Sequence, residues 1–263
     1  FDAWPGVAET RAKGRLPRVS ACFAFGVGDL NGDARPDIFA GTASEDRVVL
    51  YAGDRTFRDT RQFLGRAPTG GVALGDMDGD GVLDVVAAGW DEVGRVWHND
   101  GTGHLTALCT FDAVALHVHG AALADMDADG DLDAVFALAG LVMDRNVWWN
   151  DGTGRLAPAQ LALSSHPQQG IAVADFDRDG RLDIAQGIGA GGAALPSVVW
   201  LSRGEGFVDS GARMGSAFSP GIAAGDLDGD GDLDLFIGSL SLPQVGWDYE
   251  PRPNEVWLNT TIP

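Results

Sequence analysis

The stretch Asp226-Leu-Asp228-Gly-Asp230-Gly-Asp232-Leu-Asp234 places an aspartate at every second position of a nine-residue segment. Related segments begin at residues 29, 76, 125 and 175, so the pattern occurs five times at intervals of 47, 49, 50 and 51 residues. Positions 1, 3, 5 and 9 hold aspartate in nineteen of twenty cases, and Asn31 is the exception. A repeat of this length predicts a series of similar structural units.

The spacing of the carboxylates indicates a calcium loop. Ca²⁺ takes about six to eight oxygen ligands, and a tightly curled loop can bring side chains 1, 3 and 5 and the carbonyl of residue 7 to one point. The closing carboxylate stands at position 9, and not at position 12 as in an EF-hand, so a helix–loop–helix unit is excluded. Without an ion, each loop would crowd three or four carboxylates without a counter-charge, which is unfavourable.

We therefore expect up to five Ca²⁺ sites, in loops 29–37, 76–84, 125–133, 175–183 and 226–234. The first should be the weakest, since Asn31 and Ala34 replace the usual Asp and Gly. The expected ligands, with position 7 binding through its carbonyl, are Asp29, Asn31, Asp33, Arg35 and Asp37; Asp76, Asp78, Asp80, Val82 and Asp84; Asp125, Asp127, Asp129, Asp131 and Asp133; Asp175, Asp177, Asp179, Arg181 and Asp183; and Asp226, Asp228, Asp230, Asp232 and Asp234.

The residues around each loop predict four strands per repeat. Before every loop, Gly or Ala alternates with bulkier apolar residues, as in Gly71-Val-Ala-Leu-Gly75, which indicates a strand buried on both faces and crowded on one. A second apolar strand follows the loop, a third carries Val-Trp, and a fourth follows a turn such as Asn99–Gly103. Residues 1–263 are therefore predicted to form one all-β domain, a five-bladed β-propeller with four antiparallel strands per blade.

The ends of the chain predict how the ring closes. The fifth repeat reaches its third strand at Val256–Asn259, and Phe1–Trp4 aligns with the missing fourth strand. The repeated tryptophans should belong to the core, with Leu50 in their place in the first repeat; they are Trp97, Trp148, Trp200 and Trp257.

Composition narrows the range of partners. The chain carries 38 acidic and 18 basic residues, a net charge of −20, which argues against nucleic acid or an anionic membrane as the main partner. No apolar run approaches the ~18 residues of a membrane span. Hydrophobic residues make up 45% of the chain, so the charge belongs to a folded body.

The repeat resembles the FG-GAP/VCBS family. The resemblance lies in Asp-x-[Asp/Asn]-x-Asp-Gly-x-x-Asp following a Gly/Ala-rich strand, and it covers essentially the whole chain. It implies a calcium-stabilised propeller that is secreted, extracellular or periplasmic. It does not imply one activity, because the family includes adhesion domains, lectins and non-catalytic modules of polysaccharide-degrading enzymes. Five blades, where the usual member has seven, depart from the family pattern.

Three histidines are expected at the mouth of the central channel. His117 and His119 share a strand face because they are two residues apart, and His166 opens the next blade. They could hold a transition metal or perform acid–base catalysis in a lyase, hydrolase or cyclase; alternatively, they fill the channel mouth as hydrogen-bonded side chains. Cys22 could be a nucleophile or a small buried thiol, and its distance from Cys109 argues against a disulfide.

Non-repeating aromatic residues indicate a second candidate site. Trp90 and Asp91 lie in one loop between second and third strands, Trp247 and Tyr249 lie in another, and Gln169 enters an inner strand. Aromatic rings beside carboxylates suit stacking on sugars, although ordinary loop packing is the alternative.

The favoured hypothesis is a monomeric, calcium-dependent, extracellular binding module that recognises carbohydrate or another small molecule at the loop face. The alternatives are an enzyme with the histidine site and a purely structural interaction domain.

Overall fold

The computed structural model describes residues 21–66, 68–90, 93–112, 117–140, 145–159, 161, 163, 166–189, 195–204, 206–215, 218–240 and 253–260. Within these ranges the chain forms five antiparallel sheets arranged as the blades of a β-propeller, which confirms the predicted fold. The described part contains no helix long and apolar enough to cross a membrane.

Each blade is a meander of strands that follow one another along the chain. Blade one contains β1 (Cys22–Gly28), β2 (Asp37–Thr42), β3 (Arg47–Gly53) and β4 (Thr56–Asp59). Blade two contains β5 (Thr69–Gly75), β6 (Asp84–Gly89), β7 (Gly94–Asn99) and β8 (Leu105–Phe111). Blade three contains β9 (Val118–Ala124), β10 (Asp133–Leu138), β11 (Val147–Asn150) and β12 (Leu156–Pro158). Blade four contains β13 (Gln168–Ala174), β14 (Asp183–Ile188), β15 (Val198–Arg203) and β16 (Gly206–Asp209). Blade five contains β17 (Phe218–Gly225), β18 (Asp234–Leu240) and β19 (Glu255–Trp257).

Of two sequence predictions about the strands, one is not tested by the structure and the other is wrong by one residue. The fourth strand of blade five was predicted at Phe1–Trp4, which lies outside the described residues. Val49 in blade one, and not Leu50 as expected, takes the register of the repeated tryptophans, because it pairs with Ile38 as Trp97 pairs with Val85. The length of the loop between the second and third strands differs between repeats, and this hides the one-residue offset.

The Gly and Ala residues of the inner strands allow neighbouring blades to approach closely. Inner strands pack in the order β1, β5, β9, β13 and β17. A Cβ atom added to Gly26 would lie 2.7 Å from Leu74 Cγ, and one added to Gly71 would lie 2.7 Å from Val118 Cγ1. Real side chains do not tolerate such contacts, so the crowded strand face predicted from sequence is confirmed.

Apolar side chains fill the four seams between successive blades. Trp148 is 2% exposed and Trp97 is 9% exposed, as expected of core residues. Trp200 is half-buried in the seam between blades three and four. Trp257 is 39% exposed and lines a cleft beside Leu201 and Met214. The prediction that Trp257 is a core residue is therefore wrong.

The fifth seam, between blades five and one, has a different surface. Leu227 is 51% exposed, whereas its counterparts Leu30 and Met77 are at most 1% exposed. Phe25 on the facing side of blade one is 69% exposed. No described atom lies within 4 Å of a Cβ added to Gly221. Among the described residues, therefore, both flanks of this seam present apolar side chains on the surface.

An asparagine at the end of the third strand joins one blade to the loop of the blade before it. Asn150 Nδ2 donates to the Met77 carbonyl of the preceding blade at 2.8 Å and to the Leu132 carbonyl of its own blade at 3.1 Å. Asn99 makes the equivalent bonds to Leu30 and Leu83, and Asn259 Nδ2 bonds to the Phe176 carbonyl. Sequence analysis placed Asn99 and Asn150 in turns and Asn259 in a third strand, and it missed this contact between blades.

Replacing Asn150 with Ala should lower the free energy of unfolding by about 2 kcal/mol, because one buried and one half-buried carbonyl lose their donor. Ser202 occupies the same position in blade four and has a shorter side chain. Ser202→Asn, which restores the repeat's own residue, should therefore raise stability by up to about 1 kcal/mol. Denaturant titration of both variants measures these changes, and an Asn150→Ala protein as stable as the parent would contradict the role given to this contact.

Candidate metal loops and channel-mouth site

The metal loops (29–37, 76–84, 125–133, 175–183 and 226–234) connect the first and second strands of each blade. The first aspartate folds the loop around its own carboxylate: Asp76 Oδ1 accepts from the Gly79 and Asp80 amides at 2.8 and 3.1 Å, and Oδ2 accepts from Gly81 at 2.8 Å. Gly81 adopts φ +86°, and Ala34 takes the same left-handed region at φ +60° in the first loop. The sharp bend expected at position 6 is therefore present in both.

The ninth aspartate has a structural role that spacing did not reveal. Asp84 Oδ2 accepts from the Met77 amide in the loop at 3.0 Å, and Oδ1 accepts from the Asn99 amide at the end of the third strand at 2.9 Å. The same two bonds recur at Asp37, Asp133, Asp183 and Asp234. All five aspartates are buried. Each oxygen retains a second lone pair, so a carboxylate that orders the loop can also ligate an ion.

Four loops bring three carboxylates together. One oxygen from each lies within 4.8 Å of the others in the groups Asp76, Asp78 and Asp84; Asp125, Asp127 and Asp133; Asp175, Asp177 and Asp183; and Asp226, Asp228 and Asp230. Oxygen-rich sets of this kind suit a hard divalent cation, so these residues could hold a metal ion. The assignment of individual ligands, including all of loop 29–37, remains a sequence prediction.

A side chain from outside the loop contacts the carboxylates of two metal loops, and sequence analysis missed both. His98 Nδ1 lies 2.9 Å from Asp78 Oδ2 and 3.5 Å from Asp84 Oδ1. In blade four, Arg203 pairs with Asp177 and, through Nη1, with Asp179 Oδ2 at 2.9 Å. Both residues lie at the end of a third strand, so their position beside the loop follows from the pairing of the strands and not from proximity along the chain.

The channel-mouth cluster consists of Phe23, Trp90 and His119, one residue from each of blades one, two and three. The Trp90 ring centroid lies 5.2 Å from that of Phe23 and 5.3 Å from that of His119. Trp90 Nε1 is buried and has no hydrogen-bond partner among the described residues. Phe23 is 48% exposed. Two residues predicted for different sites, Trp90 and His119, therefore lie in one aromatic surface.

The protonation state of His119 follows from its surroundings. Burial, with a smaller contribution from His117, lowers the pKa of His119 below its ordinary value. The imidazole is therefore neutral at neutral pH and offers a polar but uncharged edge. His117 is exposed and adopts φ +47° immediately before β9.

The other predicted site residues lie in different places. His166 lines a cleft on blade four with Trp200, Asp209 and Arg213. Gln169 Nε2 donates a hydrogen bond to the Gly189 carbonyl at 3.5 Å. Asp91, Trp247 and Tyr249 lie outside the described residues.

Gln168, which sequence analysis did not select, is the buried member of the Gln168–Gln169 pair. Its Oε1 accepts from the Leu138 amide at 3.1 Å and from Asn146 Nδ2 at 2.5 Å. These hydrogen bonds connect blade four to blade three and stabilise the interface between them.

The cysteines are both free, as expected. Cys22 is exposed, so the alternative of a small buried thiol is wrong. Partial desolvation still raises the pKa of Cys22 above its ordinary value, and its Sγ donates to the Ala24 carbonyl at 3.3 Å. A raised pKa disfavours the thiolate and argues against a nucleophilic role.

The ninth aspartates should make the metal-free protein less stable as pH rises. Burial raises the pKa of Asp133 to about 6, from an ordinary value of 3.8. The folded protein thus binds this proton more tightly than the unfolded chain, so the stabilisation from protonation is present at acidic pH and is lost as pH rises through about 6. The pKa values of Asp37, Asp84 and Asp183 are also raised by burial and act in the same direction.

Denaturant titrations of chelator-treated protein between about pH 4.5 and 6.5 measure this slope. Asp133→Asn should reduce the slope because an amide does not titrate in this range. The lowered pKa of His119 acts in the opposite direction in both proteins, so the comparison between parent and variant is the test. Equal slopes for the parent and Asp133→Asn would contradict the prediction.

Comparisons with solved structures support the fold. A lectin of Agrocybe aegerita, described for its specific recognition of non-reducing terminal N-acetylglucosamine, matches with a TM-score of 0.55 and 20% identity, over 92% of this chain and 64% of the lectin chain. BBS1N, solved in complex with ARL6DN and soaked with lead, matches with a TM-score of 0.54 and 11% identity, over 83% of this chain and 61% of that chain. This chain therefore spans less than two thirds of either structure.

Comparisons of sequence identify the repeat. No curated protein matches the chain. The FG-GAP-like repeat matches residues 29–87, 76–136 and 137–185, which together make up more than half of the 263 residues. The chain belongs to the FG-GAP-like repeat family.

Proposed function

We propose that this chain is a calcium-stabilised binding module that acts outside the cell, as a secreted or periplasmic protein, and that its channel-mouth cluster recognises carbohydrate. The observation that carries the proposal is the buried Trp90 N–H, which lacks a described acceptor and lies between two further rings. A ligand hydroxyl would satisfy this donor after a turn of the Trp90 side chain, and the exposed Phe23 ring would stack on the apolar face of a sugar. The protein would bind as a monomer, because the cluster draws on three blades of one chain.

Three further observations support parts of the proposal. The structurally similar lectin recognises a terminal sugar, although a sequence identity of 20% shows a shared fold and not a shared ligand. The FG-GAP/VCBS resemblance implies calcium and an extracellular setting. His119 is neutral at neutral pH, which suits recognition of an uncharged hydroxyl-bearing ligand better than recognition of an anion.

The alternative is an enzyme with an imidazole site at the channel mouth. The lowered pKa of His119 favours it, because a neutral imidazole can accept a proton from a substrate. In that case, replacing His119 would abolish turnover but would leave ligand affinity largely unchanged, whereas replacing Trp90 would weaken affinity.

Replacing Trp90 should separate stacking from hydrogen bonding. Trp90→Ala should weaken binding of an N-acetylglucosamine-terminated oligosaccharide by at least roughly tenfold, because the central ring is lost. Trp90→Phe retains an aromatic ring without the N–H and should lose about three- to tenfold. Glycan-array screening and calorimetry measure these changes.

Phe63→Ala provides the matched control for these variants. Phe63 is 61% exposed and, like Phe23 of the cluster, is an aromatic residue on the surface. It packs on Arg47 away from the cluster, with the guanidinium carbon of Arg47 3.9 Å from the Phe63 ring centroid. Its removal should leave affinity unchanged. Glycan binding that is insensitive to Trp90→Ala would overturn the assignment of this site.

Removal of calcium should lower the melting temperature at neutral pH. An ion at about 100 times its Kd adds about 2.7 kcal/mol per site to the stability of the folded state. Asp129→Asn should reduce this gain without affecting the metal-free protein, since Asp129 is exposed and its Oδ1 can still accept from the Asp131 amide. Asp133→Asn should lower stability with and without calcium, because one of its two backbone bonds is lost.

Thermal melts in chelator, Ca²⁺ and Mg²⁺ test these expectations. Equal melting temperatures in chelator and in Ca²⁺ would show that the loops do not hold calcium.

A further inference from the structure

Blade two differs from the other blades at the residue after the tryptophan register. Strand pairing places His98 in blade two where the other blades have Leu50, Trp149, Leu201 and Leu258. Four large apolar side chains thus correspond to one imidazole. A histidine at this position is not required for folding, since the other blades form the same meander without one.

The imidazole of His98 joins the carboxylates of the second metal loop. One ligand atom from each of Asp78, Asp80 and His98 lies within 4.8 Å of the others. The Nδ1 atom of His98 lies 2.9 Å from Asp78 Oδ2. This loop therefore presents a nitrogen donor in addition to the oxygens common to the repeats.

Two atoms of this group lack hydrogen-bond partners. Both His98 Nδ1 and Asp78 Oδ1 are buried, and neither makes a hydrogen bond of acceptable geometry to any described atom. The His98–Asp78 contact is therefore close without being a well-directed hydrogen bond. Buried polar atoms without partners are costly, and a shared cation would satisfy both.

The donor set distinguishes between classes of metal. Ca²⁺ is ligated by oxygen, whereas neutral imidazole suits Zn²⁺ and neighbouring first-row ions, which also accept carboxylates. We propose that the second loop is a mixed imidazole–carboxylate site for a first-row transition metal ion of the Zn²⁺ and Co²⁺ type, held by His98 Nδ1 with Asp78 and Asp80. This inference rests on the proposed function in one respect, namely that the loops bind cations.

Titration with Co²⁺ tests the site, since the visible absorption of the ion reports its ligands. The protein must be prepared without a polyhistidine tag. The parent chain should bind one Co²⁺ much more tightly than any other, and His98→Leu should weaken that binding by at least tenfold. Leucine is the residue of three other blades at this position, so the variant is expected to fold.

Two controls use two of the other four histidines. His119→Gln removes an imidazole at the channel mouth, and His104→Gln removes an exposed one 3.8 Å from Asp100. Both variants should bind Co²⁺ like the parent. Loss of the tight Co²⁺ site in His119→Gln, with retention in His98→Leu, would overturn the proposal in favour of a metal at the channel mouth.

A gain-of-function variant keeps the test independent of folding defects. Leu258 is 51% exposed and stands at the equivalent position beside the fifth loop. Leu258→His should create a second Co²⁺ site with a similar spectrum, and failure to do so would count against the role given to the imidazole.

The Ca²⁺ response separates this inference from the proposed function. If Ca²⁺ raises the melting temperature but Co²⁺ affinity is the same in parent and His98→Leu, the mixed site is wrong and the calcium loops stand. If neither ion binds, both fail. If His98→Leu loses Co²⁺ and retains the Ca²⁺-dependent rise in melting temperature, both are supported.

Discussion

The structure depends on a buried carboxylate that bonds to two backbone amides from different parts of a blade. In each repeat the ninth aspartate starts the second strand, accepts one amide from the loop before it and another from the end of the third strand. Burial of an acidic group without such donors would be costly. The carboxylate thus fixes the loop in the shape that gathers the other aspartates. The same interaction therefore orders the blade and brings together the carboxylates that could hold a metal ion. The excess of acidic residues therefore reflects the construction of the blades more than the nature of a partner.

The same repeat unit produces different surfaces at its two ends. At the metal loops, main-chain geometry recurs closely, and individual blades differ by single side chains such as His98 and Arg203. At the channel mouth no residue of the cluster recurs, and Phe23, Trp90 and His119 meet because three blades converge there. The recurring residues therefore build the frame of the propeller, and the non-recurring ones form the candidate site residues that distinguish one blade from another.

Periodicity in the sequence was sufficient to predict the blades, the loops and the crowded inner strands, since each depends on residues close together in one repeat. It could not predict that Trp90 contacts His119, because this depends on how far one blade is rotated relative to the next. The contact from Asn150 to Met77 was missed for the same reason. The Val49 register was missed because loop lengths differ between repeats, and strand pairing, not counting, determines which residues are equivalent.

The exposed flanks of the fifth seam have a consequence for folding kinetics. Every other seam joins blades that are adjacent along the chain, so each can form as soon as its two repeats have been synthesised, and the loop-closure entropy is modest. Phe25 and Leu227 lie near opposite ends of the chain. Any contact between their two faces must wait until all five blades exist, so the final joining step is expected to be the slowest part of assembly and the stage most exposed to aggregation.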